Sequence, residues 1–205
     1  MLVIVTLAAL GLGAFAASHW LTPTPPVAAE LRSAAVYDTP RALPPVTLQT
    51  TTGATGAATT LLQGHWRVVF FGFTHCPGVC PGTLALMVRL EQALATLPAA
   101  QRPLMTFISV DPKRDTGAII GPYLRQFGPQ LEGFTGAETD TDALAQYVGV
   151  AVQRQPADAG GDYMVDHTAA LFVLDDRARV RGILTTPHEL ANLIHDYRLI
   201  AGVQP

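Results

Sequence analysis

Residues 67–87 read RVVFFGFTHCPGVCPGTLALM and place both cysteines of the chain in one short loop. The stretch 67–73 is a continuous apolar run, which is typical of a strand buried on both faces of a sheet. After Cys80 the apolar residues recur at every third or fourth position, which predicts a helix that extends to Leu97. Cys76 and Cys80 are therefore expected where a buried strand gives way to a helix.

The rest of residues 46–205 continues this alternation and indicates an α/β domain. In chain order the patterns predict a hairpin, two buried strands each followed by a helix, a further helix, a second hairpin and a closing helix. Their positions are 46–50 with 57–61, 67–73, 80–97, 104–110, 115–127, 139–148, 169–175 with 178–184, and 186–199. Parallel crossovers followed by an antiparallel hairpin fit a thioredoxin-like mixed β-sheet flanked by helices.

The first 21 residues, MLVIVTLAALGLGAFAASHWL, form an apolar run. A run of about 20 residues is long enough to cross a bilayer as one helix. Two interpretations stay open, an uncleaved membrane anchor helix and a signal peptide cleaved near Ala14-Phe15-Ala16. Either one predicts an exported domain that faces the periplasm or another extracytoplasmic space.

Residues 22–45 are rich in proline, with prolines at 23, 25, 26, 40, 44 and 45. Proline at this density favours an extended segment without regular structure. The predicted organisation is therefore an anchor or signal segment at 1–21, a proline-rich tether at 22–45 and a globular domain at 46–205.

The composition excludes one class of partner and one class of scaffold. Charged residues make up 14% of the chain, hydrophobic residues 49%, and the net charge is -3. Lys113 is the single lysine among 13 basic residues, and the basic residues form no cluster along the sequence. Because neutralising phosphates requires a basic surface, nucleic acid is not an expected partner. Two cysteines cannot build a multi-disulfide scaffold, so the fold must depend on its core.

The spacing of the two cysteines suits two kinds of chemistry. Residues four apart lie on one face of a helix with Cα atoms roughly 6 Å apart, a separation that a disulfide can bridge. The unpaired backbone N–H groups at a helix N-terminus favour the thiolate, which is the form that attacks disulfides and binds metals. Cys76 and Cys80 are therefore candidates for a redox pair or for two metal ligands.

A metal site needs a third ligand, and histidines supply the candidates. His75 lies directly beside Cys76, whereas His167 in DYMVDHTAALFVLD stands at the entrance to a predicted buried strand. That position would bring its side chain toward the cysteine loop. Spacing alone leaves the choice open, because a lone histidine is more often only hydrogen-bonded.

Acidic residues near these motifs have structural interpretations. Asp111 precedes a proline and is predicted to end a strand, and Asp115 or Thr116 is predicted to cap the next helix. Since side chains alternate along a strand, Asp166 is expected to face away from His167. None of these carboxylates is predicted to bind a metal.

Three stretches in the same order resemble the signature motifs of the Sco/SenC family of copper proteins. They are FFGFTHCPGVCP, SVDPKRDT, and DYMVDH followed by an apolar strand, and the resemblance extends from about Pro44 to Leu199. It implies a thioredoxin-like exported domain behind an N-terminal anchor, with a role in building the binuclear copper centre of cytochrome c oxidase. It also implies that Cys76, Cys80 and His167 bind copper.

The chemistry of that ligand set agrees with copper. Two thiolates and one imidazole suit Cu(I) in three-coordinate geometry and hold Cu(II) less readily, whereas zinc normally takes a fourth ligand. A Cys76–Cys80 disulfide could not bind metal, so oxidation and copper loading exclude one another. The expected partners are the copper-bearing subunit of cytochrome c oxidase or another copper chaperone, together with the membrane.

One residue departs from the family pattern. The family usually has Asp where this chain has Gly78. An acidic neighbour would interact with the bound metal or with its ligands. The departure therefore bears on copper affinity and on recognition of the partner.

Three functions remain open on the sequence alone. The leading hypothesis is a membrane-tethered copper chaperone that delivers copper, or reduces the cysteines of the recipient, during oxidase assembly. The alternative is an extracytoplasmic thiol–disulfide oxidoreductase that uses Cys76 and Cys80 to reduce a partner protein, so enzymatic activity is undecided. A thiol peroxidase on the same fold ranks last, because the sequence lacks the peroxidatic signature of that class.

Overall fold

A computed structural model of the chain describes residues 27–203. One helical turn, α1 (Val27–Glu30), belongs to an N-terminal unit, and the chain from Leu31 onwards forms a compact unit of its own. The predicted anchor or signal segment at 1–21 lies outside the described residues. In the part of the chain that is described, no helix combines the length and apolar character needed to cross a bilayer.

The compact unit is an α/β domain, as predicted. Its strands are β1 (Ala34–Ala42), β2 (Thr47–Thr50), β3 (Thr55–Ala57), β4 (Arg67–Gly72), β5 (Leu104–Ser109), β6 (Glu132–Thr135), β7 (Val152–Arg154), β8 (Val165–His167), β9 (Leu171–Leu174) and β10 (Arg179–Leu184). Its helices are α2 (Ala58–Leu62), α3 (Val79–Leu94), α4 (Gly117–Arg125), α5 (Glu138–Val148) and α6 (Leu190–Ile200), with a 3-10 turn at Ala99–Gln101. Eight of these strands form one sheet in the order β1-β10-β9-β4-β5-β6-β2-β3, and β7 and β8 form a separate ribbon.

Strand β4 lies near the centre of the sheet and determines where the site forms. All six of its residues are buried, and since alternate side chains point to opposite faces, both faces of the sheet are covered here. It pairs parallel with β5 and antiparallel with β9, with Gly72 opposite Ser109 and Phe70 opposite Leu171. The end of β4, the end of β5 and the start of β9 therefore lie side by side, at the same end of these neighbouring strands.

Helix α3 packs its apolar face into the core directly after the cysteine loop. Its buried residues follow helical spacing and include Cys80, Leu84, Met87, Leu90 and Leu94. Burying one such side chain contributes about 1.5–3 kcal/mol, so this face fixes the helix firmly. The second cysteine is thus part of the hydrophobic core as well as of the loop.

Strand β1 corrects the prediction of an unstructured tether at 22–45. Ala34–Ala42 forms a strand that pairs antiparallel with β10. A strand at the edge of a sheet tolerates proline, and Pro40 falls where the register shifts between Val36 and Arg41. The compact unit also begins at Leu31, earlier than the predicted domain start at residue 46.

Two other sequence predictions are wrong in detail. The second predicted hairpin strand at 57–61 ends at Ala57, and Ala58–Leu62 is a short helix. The closing helix begins at Leu190 and not at residue 186. The ribbon of β7 and β8, which carries His167, was not predicted.

Candidate metal centre

The cysteine loop connects β4 to α3 and buries its two thiols unequally. Cys80 lies in the first turn of α3 and is 0% exposed, whereas Cys76 is half-buried. The backbone N–H of Cys76 donates a 3.3 Å hydrogen bond to the carbonyl of Phe73, which folds the loop back toward the strand. Both cysteines are free thiols.

The surroundings of the two thiols shift their acidities in opposite directions. Partial burial disfavours ionisation of Cys76, but hydrogen bonds from the backbone N–H groups of Cys80 and Gly78 outweigh it and lower the pKa of Cys76. One of these bonds joins the N–H of Cys80 to Sγ of Cys76 at 3.4 Å. Burial raises the pKa of Cys80, and the charges of Cys76 and Asp115 raise it further. Cys76 is therefore the more accessible and more nucleophilic thiol.

The imidazole of His167 lies against the buried thiol. Nε2 of His167 is 3.6 Å from Sγ of Cys80, and Nδ1 is 3.1 Å from the carbonyl oxygen of Thr168. A carbonyl only accepts hydrogen bonds, so Nδ1 carries the proton and Nε2 presents a lone pair toward the thiol. Burial lowers the pKa of His167, with the Thr168 carbonyl opposing, and this favours the neutral form that binds metals.

Two aromatic rings enclose His167. The ring centroids of Phe70 and Phe73 lie 5.9 Å and 6.0 Å from the imidazole centroid, both in edge-to-face arrangements. Such contacts restrict the ring orientation, because edge-to-face packing is preferred for aromatic pairs. The strand and loop that lead to Cys76 therefore also hold the imidazole.

The structure brings the predicted site residues together in pairs. Cys80 contacts both Cys76 and His167. Within residues 27–203, no three His, Cys, Asp or Glu side chains already surround a single metal position. The donor atoms, two sulfurs and one imidazole nitrogen, are nevertheless the set that a soft monovalent copper ion prefers.

An open cleft of about 340 Å³ gives access to this group. It is lined by Phe73, Cys76, Pro77, Gly78, Val79, Met164, Val165, Asp166, His167 and Ala169. His75 does not line it, and the His75 ring lies 3.1 Å from Oγ1 of Thr74 instead. The exposed residues Val79 and Met164 stand at its rim. A metal ion or a partner side chain would therefore meet Cys76 and His167 before Cys80.

The acidic residues behave differently from their sequence interpretation. Of the two predicted caps, Thr116 takes the N-cap position of α4, without a side-chain hydrogen bond to the helix, and Asp115 does not. The buried carboxylate of Asp115 instead accepts hydrogen bonds from Thr74 and Ser109. The side chain of Asp166 accepts a hydrogen bond from the side-chain amide of Gln155, and Asp166 lines the same cleft as His167.

Sequence reasoning missed several residues that support the site. Asp111, Arg114 and Tyr163 form a hydrogen-bonded group between the end of β5 and the ribbon that carries His167. Two of them are polar residues in SVDPKRDT, where the sequence predicts only a strand end and a helix cap. The only signal was their presence in stretches that resemble the family motifs, and that signal carries no information about contacts.

Comparison with known proteins decides the family. The sequence model of the SCO1/SenC family matches residues 37–201. The chain belongs to the SCO1/SenC family.

Relatives and solved structures agree with that assignment. The human "Protein SCO1 homolog, mitochondrial" is 37% identical over 111 residues, which are 54% of this chain and 37% of the human protein. The chain thus matches well under half the length of that relative. The crystal structure of Arabidopsis thaliana ScoI with copper bound superposes with a TM-score of 0.71 and 26% identity over 78% of this chain and 98% of that chain.

A bacterial structure gives the same result. The structure of Bradyrhizobium japonicum ScoI with copper bound has a TM-score of 0.66 and 30% identity, and the match covers 77% of this chain and 98% of that chain. These SCO1/SenC neighbours confirm the predicted thioredoxin-like α/β fold.

Proposed function

We propose that this SCO1/SenC protein carries copper as cargo and acts in the assembly of cytochrome c oxidase. Cys76, Cys80 and His167 hold the ion. The observation that carries the proposal is the 3.6 Å separation between Sγ of Cys80 and Nε2 of His167, two residues 87 positions apart in the sequence. Support also comes from the solved relatives that contain copper.

The protein groups have distinct parts in binding the ion. Cys76, which lines the cleft and has a lowered pKa, makes the first contact. Cys80 loses its proton when the ion binds, since thiolates and not thiols are the ligands. Nε2 of His167 supplies its lone pair to the ion, while Nδ1 donates a hydrogen bond to the carbonyl oxygen of Thr168. Because Cys76 faces the cleft, it is also the ligand that a recipient's donor atoms displace first.

The location of the protein is part of the same proposal. Residues 1–21 anchor the chain in a membrane or direct its export, and the compact unit faces an extracytoplasmic space. The recipient is the copper-bearing subunit of cytochrome c oxidase or another copper chaperone. Support for this comes from the apolar run at 1–21 and from the family of the chain.

A second candidate function rests on the unequal thiols. The half-buried Cys76 and the buried Cys80 have pKa values shifted in opposite directions, and they suit a nucleophile and a resolving thiol. The thiolate of Cys76 would attack a partner disulfide, and Cys80 would then displace the partner from the mixed disulfide. Two electrons pass to the partner, which gains a dithiol, and the chain gains a Cys76–Cys80 disulfide.

An anaerobic Cu(I) titration against a competing chelator separates the two functions. The reduced full-length chain is expected to bind one ion per molecule. His167→Ala should weaken binding by at least about 100-fold, because even the outer partners of metal ligands are worth 10–100-fold. The midpoint potential of the Cys76–Cys80 pair should change little in the same variant.

His75→Ala is the matched control, because His75 is adjacent to Cys76 but outside the cleft. It is expected to keep the affinity of the wild-type chain. Weak binding by the wild-type chain, or binding that is indifferent to His167, would overturn the copper proposal. The oxidoreductase function would then be the better account of the thiol pair.

A further inference from the structure

His167 lies on a two-stranded ribbon that is too short to be stable without contacts to the rest of the domain. Strands β7 and β8 have three residues each and form no pairing with the main sheet. An isolated pair of short strands is marginally stable in water. The distance between His167 and the cysteines therefore depends on the contacts that fasten the ribbon to the rest of the domain.

One fastening is formed by Asp111, Arg114 and Tyr163, which we name the Arg114 clasp. The guanidinium carbon of Arg114 lies 3.7 Å from the centre of the Tyr163 ring. Nε of Arg114 donates to Oδ2 of Asp111 at 2.5 Å, and the hydroxyl of Tyr163 donates to Oδ1 of Asp111 at 2.5 Å. Both oxygens of one fully buried carboxylate are thus used to fix a residue four positions before His167.

The same arginine also reaches the loop of the ribbon. Nη1 of Arg114 donates to Oδ1 of Asp162 at 2.5 Å. A stacked guanidinium with hydrogen bonds to two carboxylates is geometrically demanding, because the planar fork must satisfy all partners at once. Lysine could supply the charge at this position but neither the fork nor the stacking.

A second fastening lies at the other strand of the ribbon. Nη2 of Arg154, the last residue of β7, donates to the carbonyl of Val110 at 2.7 Å. Arg154 also pairs with both carboxylate oxygens of Asp142 on α5, at 2.8 Å and 3.0 Å. Strand β7 and the segment just before β8 are thus attached to the few residues that follow β5.

The cysteine loop is attached to the same few residues. Asp115 accepts hydrogen bonds from the backbone N–H and the hydroxyl of Thr74, two residues before Cys76. Residues 109–115 therefore contact the thiol half of the site through Asp115, and the imidazole half through Asp111 and Arg114.

We propose that residues 109–115 set the separation between the thiols and the imidazole, with Arg114 and Tyr163 as positioning residues for His167. The inference rests on the proposed copper site. Contacts behind metal ligands typically change affinity by 10–100-fold. The hydroxyl of Tyr163 acts on the ribbon that carries His167, whereas the contact between Asp115 and Thr74 acts on the cysteine loop. Arg114 also lies over the ring of Phe73 in that loop, with its guanidinium carbon 5.9 Å from the ring centre. Tyr163→Phe is therefore the variant that weakens the imidazole half alone.

The test uses Tyr163→Phe and Arg114→Lys in the full-length chain. The first keeps the ring over Arg114 and removes only the hydroxyl that bonds Asp111, and the second keeps the charge. Each is expected to weaken Cu(I) binding by about 10-fold or more. Neither should change the midpoint potential of the Cys76–Cys80 pair, and the thermal unfolding transition establishes that each variant is folded.

Tyr147→Phe is the matched control. Tyr147 also stacks on an arginine, with the guanidinium carbon of Arg41 at 4.5 Å from its ring centre, but it lies on α5 outside the clasp. Its copper affinity should equal that of the wild-type chain. An equal loss in Tyr147→Phe and Tyr163→Phe would overturn the positioning role.

Coupling to His167 separates positioning from a general structural effect. In the His167→Ala background, Tyr163→Phe should cause no further loss of affinity, because the side chain that it positions is gone. An undiminished loss in that background overturns the inference, and so does wild-type affinity in Tyr163→Phe itself.

A readout without copper keeps this test independent of the proposed function. In the apo protein, the contact between the His167 ring and Phe70 is measured by nuclear Overhauser effects. It should weaken in Tyr163→Phe and persist in Tyr147→Phe. If the wild-type chain binds no Cu(I), the proposed function fails, and this comparison still decides whether the clasp positions His167.

Discussion

The hydroxyl of Thr74 donates a 2.5 Å hydrogen bond to Oδ1 of Asp115, and the backbone N–H of Thr74 donates to Oδ2 of the same carboxylate at 3.0 Å. A third donor is the hydroxyl of Ser109, at 2.7 Å from Oδ2. Burial raises the pKa of Asp115, and these donors oppose that rise by stabilising the charged form. The loop that carries Cys76 is thus tied to a buried carboxylate that depends on a small number of donors.

Thr74→Val is expected to destabilise the domain while Thr74→Ser leaves it nearly unchanged. Valine keeps the shape but removes the hydroxyl, and leaving a buried acceptor without a donor costs about 1–3 kcal/mol. Serine retains the donor. Urea unfolding of the reduced chains at pH 7 measures the free energy of unfolding. A loss in Thr74→Ser with none in Thr74→Val would mean that the methyl group, and not the hydrogen bond, holds the loop.

The sequence was sufficient to predict the centre of this fold. The apolar run at 67–73 and the helical spacing after Cys80 predicted β4 and α3 closely, because a strand covered on both faces and a helix with one apolar face leave strong patterns. Neither pattern depends on residues far away in the chain. These two elements also contain both cysteines, so half of the site followed from local sequence.

The elements that were missed have weak patterns for physical reasons. Strand β1 lies at the sheet edge, where half-exposed polar residues and a proline are tolerated, so its composition resembles that of a linker. Strands β7 and β8 are too short to show alternation and depend on contacts with distant residues, which include Asp111, Asp142 and the carbonyl of Val110. Contacts that join residues roughly 50 positions apart, such as Tyr163 to Asp111, have no local signature.

The histidine shows the same limit at the level of a single residue. Spacing left both His75 and His167 open, and only the resemblance to a family selected His167. The geometry explains the choice afterwards, since β9 starts beside the end of β4 and the ribbon precedes β9 directly. That antiparallel pairing is a property of the whole sheet and cannot be derived from the sequence around His167.

The two cysteines are expected to differ in their reaction with iodoacetamide. Cys76 is half-buried with a lowered pKa, whereas Cys80 is fully buried with a raised pKa. At pH 7 Cys76 should therefore be alkylated at least about tenfold faster, because only the thiolate reacts. Mass spectrometry of the reduced chain after short exposures locates the label. Preferential labelling of Cys80 would contradict this order of reactivity.

Gly78→Asp is expected to slow alkylation of Cys76 while Gly78→Asn does not. A Cβ atom at Gly78 would meet no other atom within 4 Å, so either side chain can be accommodated. Only aspartate adds a negative charge beside the thiolate, which raises the pKa of Cys76. A charge a few Å away near the surface is worth on the order of 1 kcal/mol, so the rate at pH 7 should fall by up to about tenfold.

Asparagine is the matched control at that position, because it has the same shape and no charge. The midpoint pH of the alkylation rate profile should rise in Gly78→Asp only. If both variants slow the reaction equally, the change in loop conformation, and not the charge, would be the cause. The same pair of variants then tests whether the departure at Gly78 alters Cu(I) affinity.

The stability of the compact unit is expected to depend on pH, because its first residues are hydrogen-bonded to a buried carboxylate. Although burial acts in the opposite direction, hydrogen bonds to Asp196 on α6 lower the pKa of this fully buried carboxyl. The donors are the backbone N–H groups of Arg32 and Ser33, the hydroxyl of Ser33, and His195, whose Nδ1 lies 3.1 Å from Oδ1. One carboxylate thus joins the residues before β1 to the last helix.

This arrangement predicts a loss of stability in acid that Asp196→Asn removes. The folded chain binds the proton of Asp196 less readily than the unfolded chain, so the stabilisation is complete above the unfolded pKa of about 3.9 and is lost as the pH falls through the lower folded value. Urea unfolding between pH 7 and pH 3 should show this loss in the wild-type chain. Asp196→Asn should cost about 1–3 kcal/mol at pH 7 and show a flatter pH profile. Asp38→Asn, which changes an exposed acid of β1, is the control and should keep the wild-type profile. A profile in Asp196→Asn as steep as that of the wild-type chain would assign the acid sensitivity to other groups.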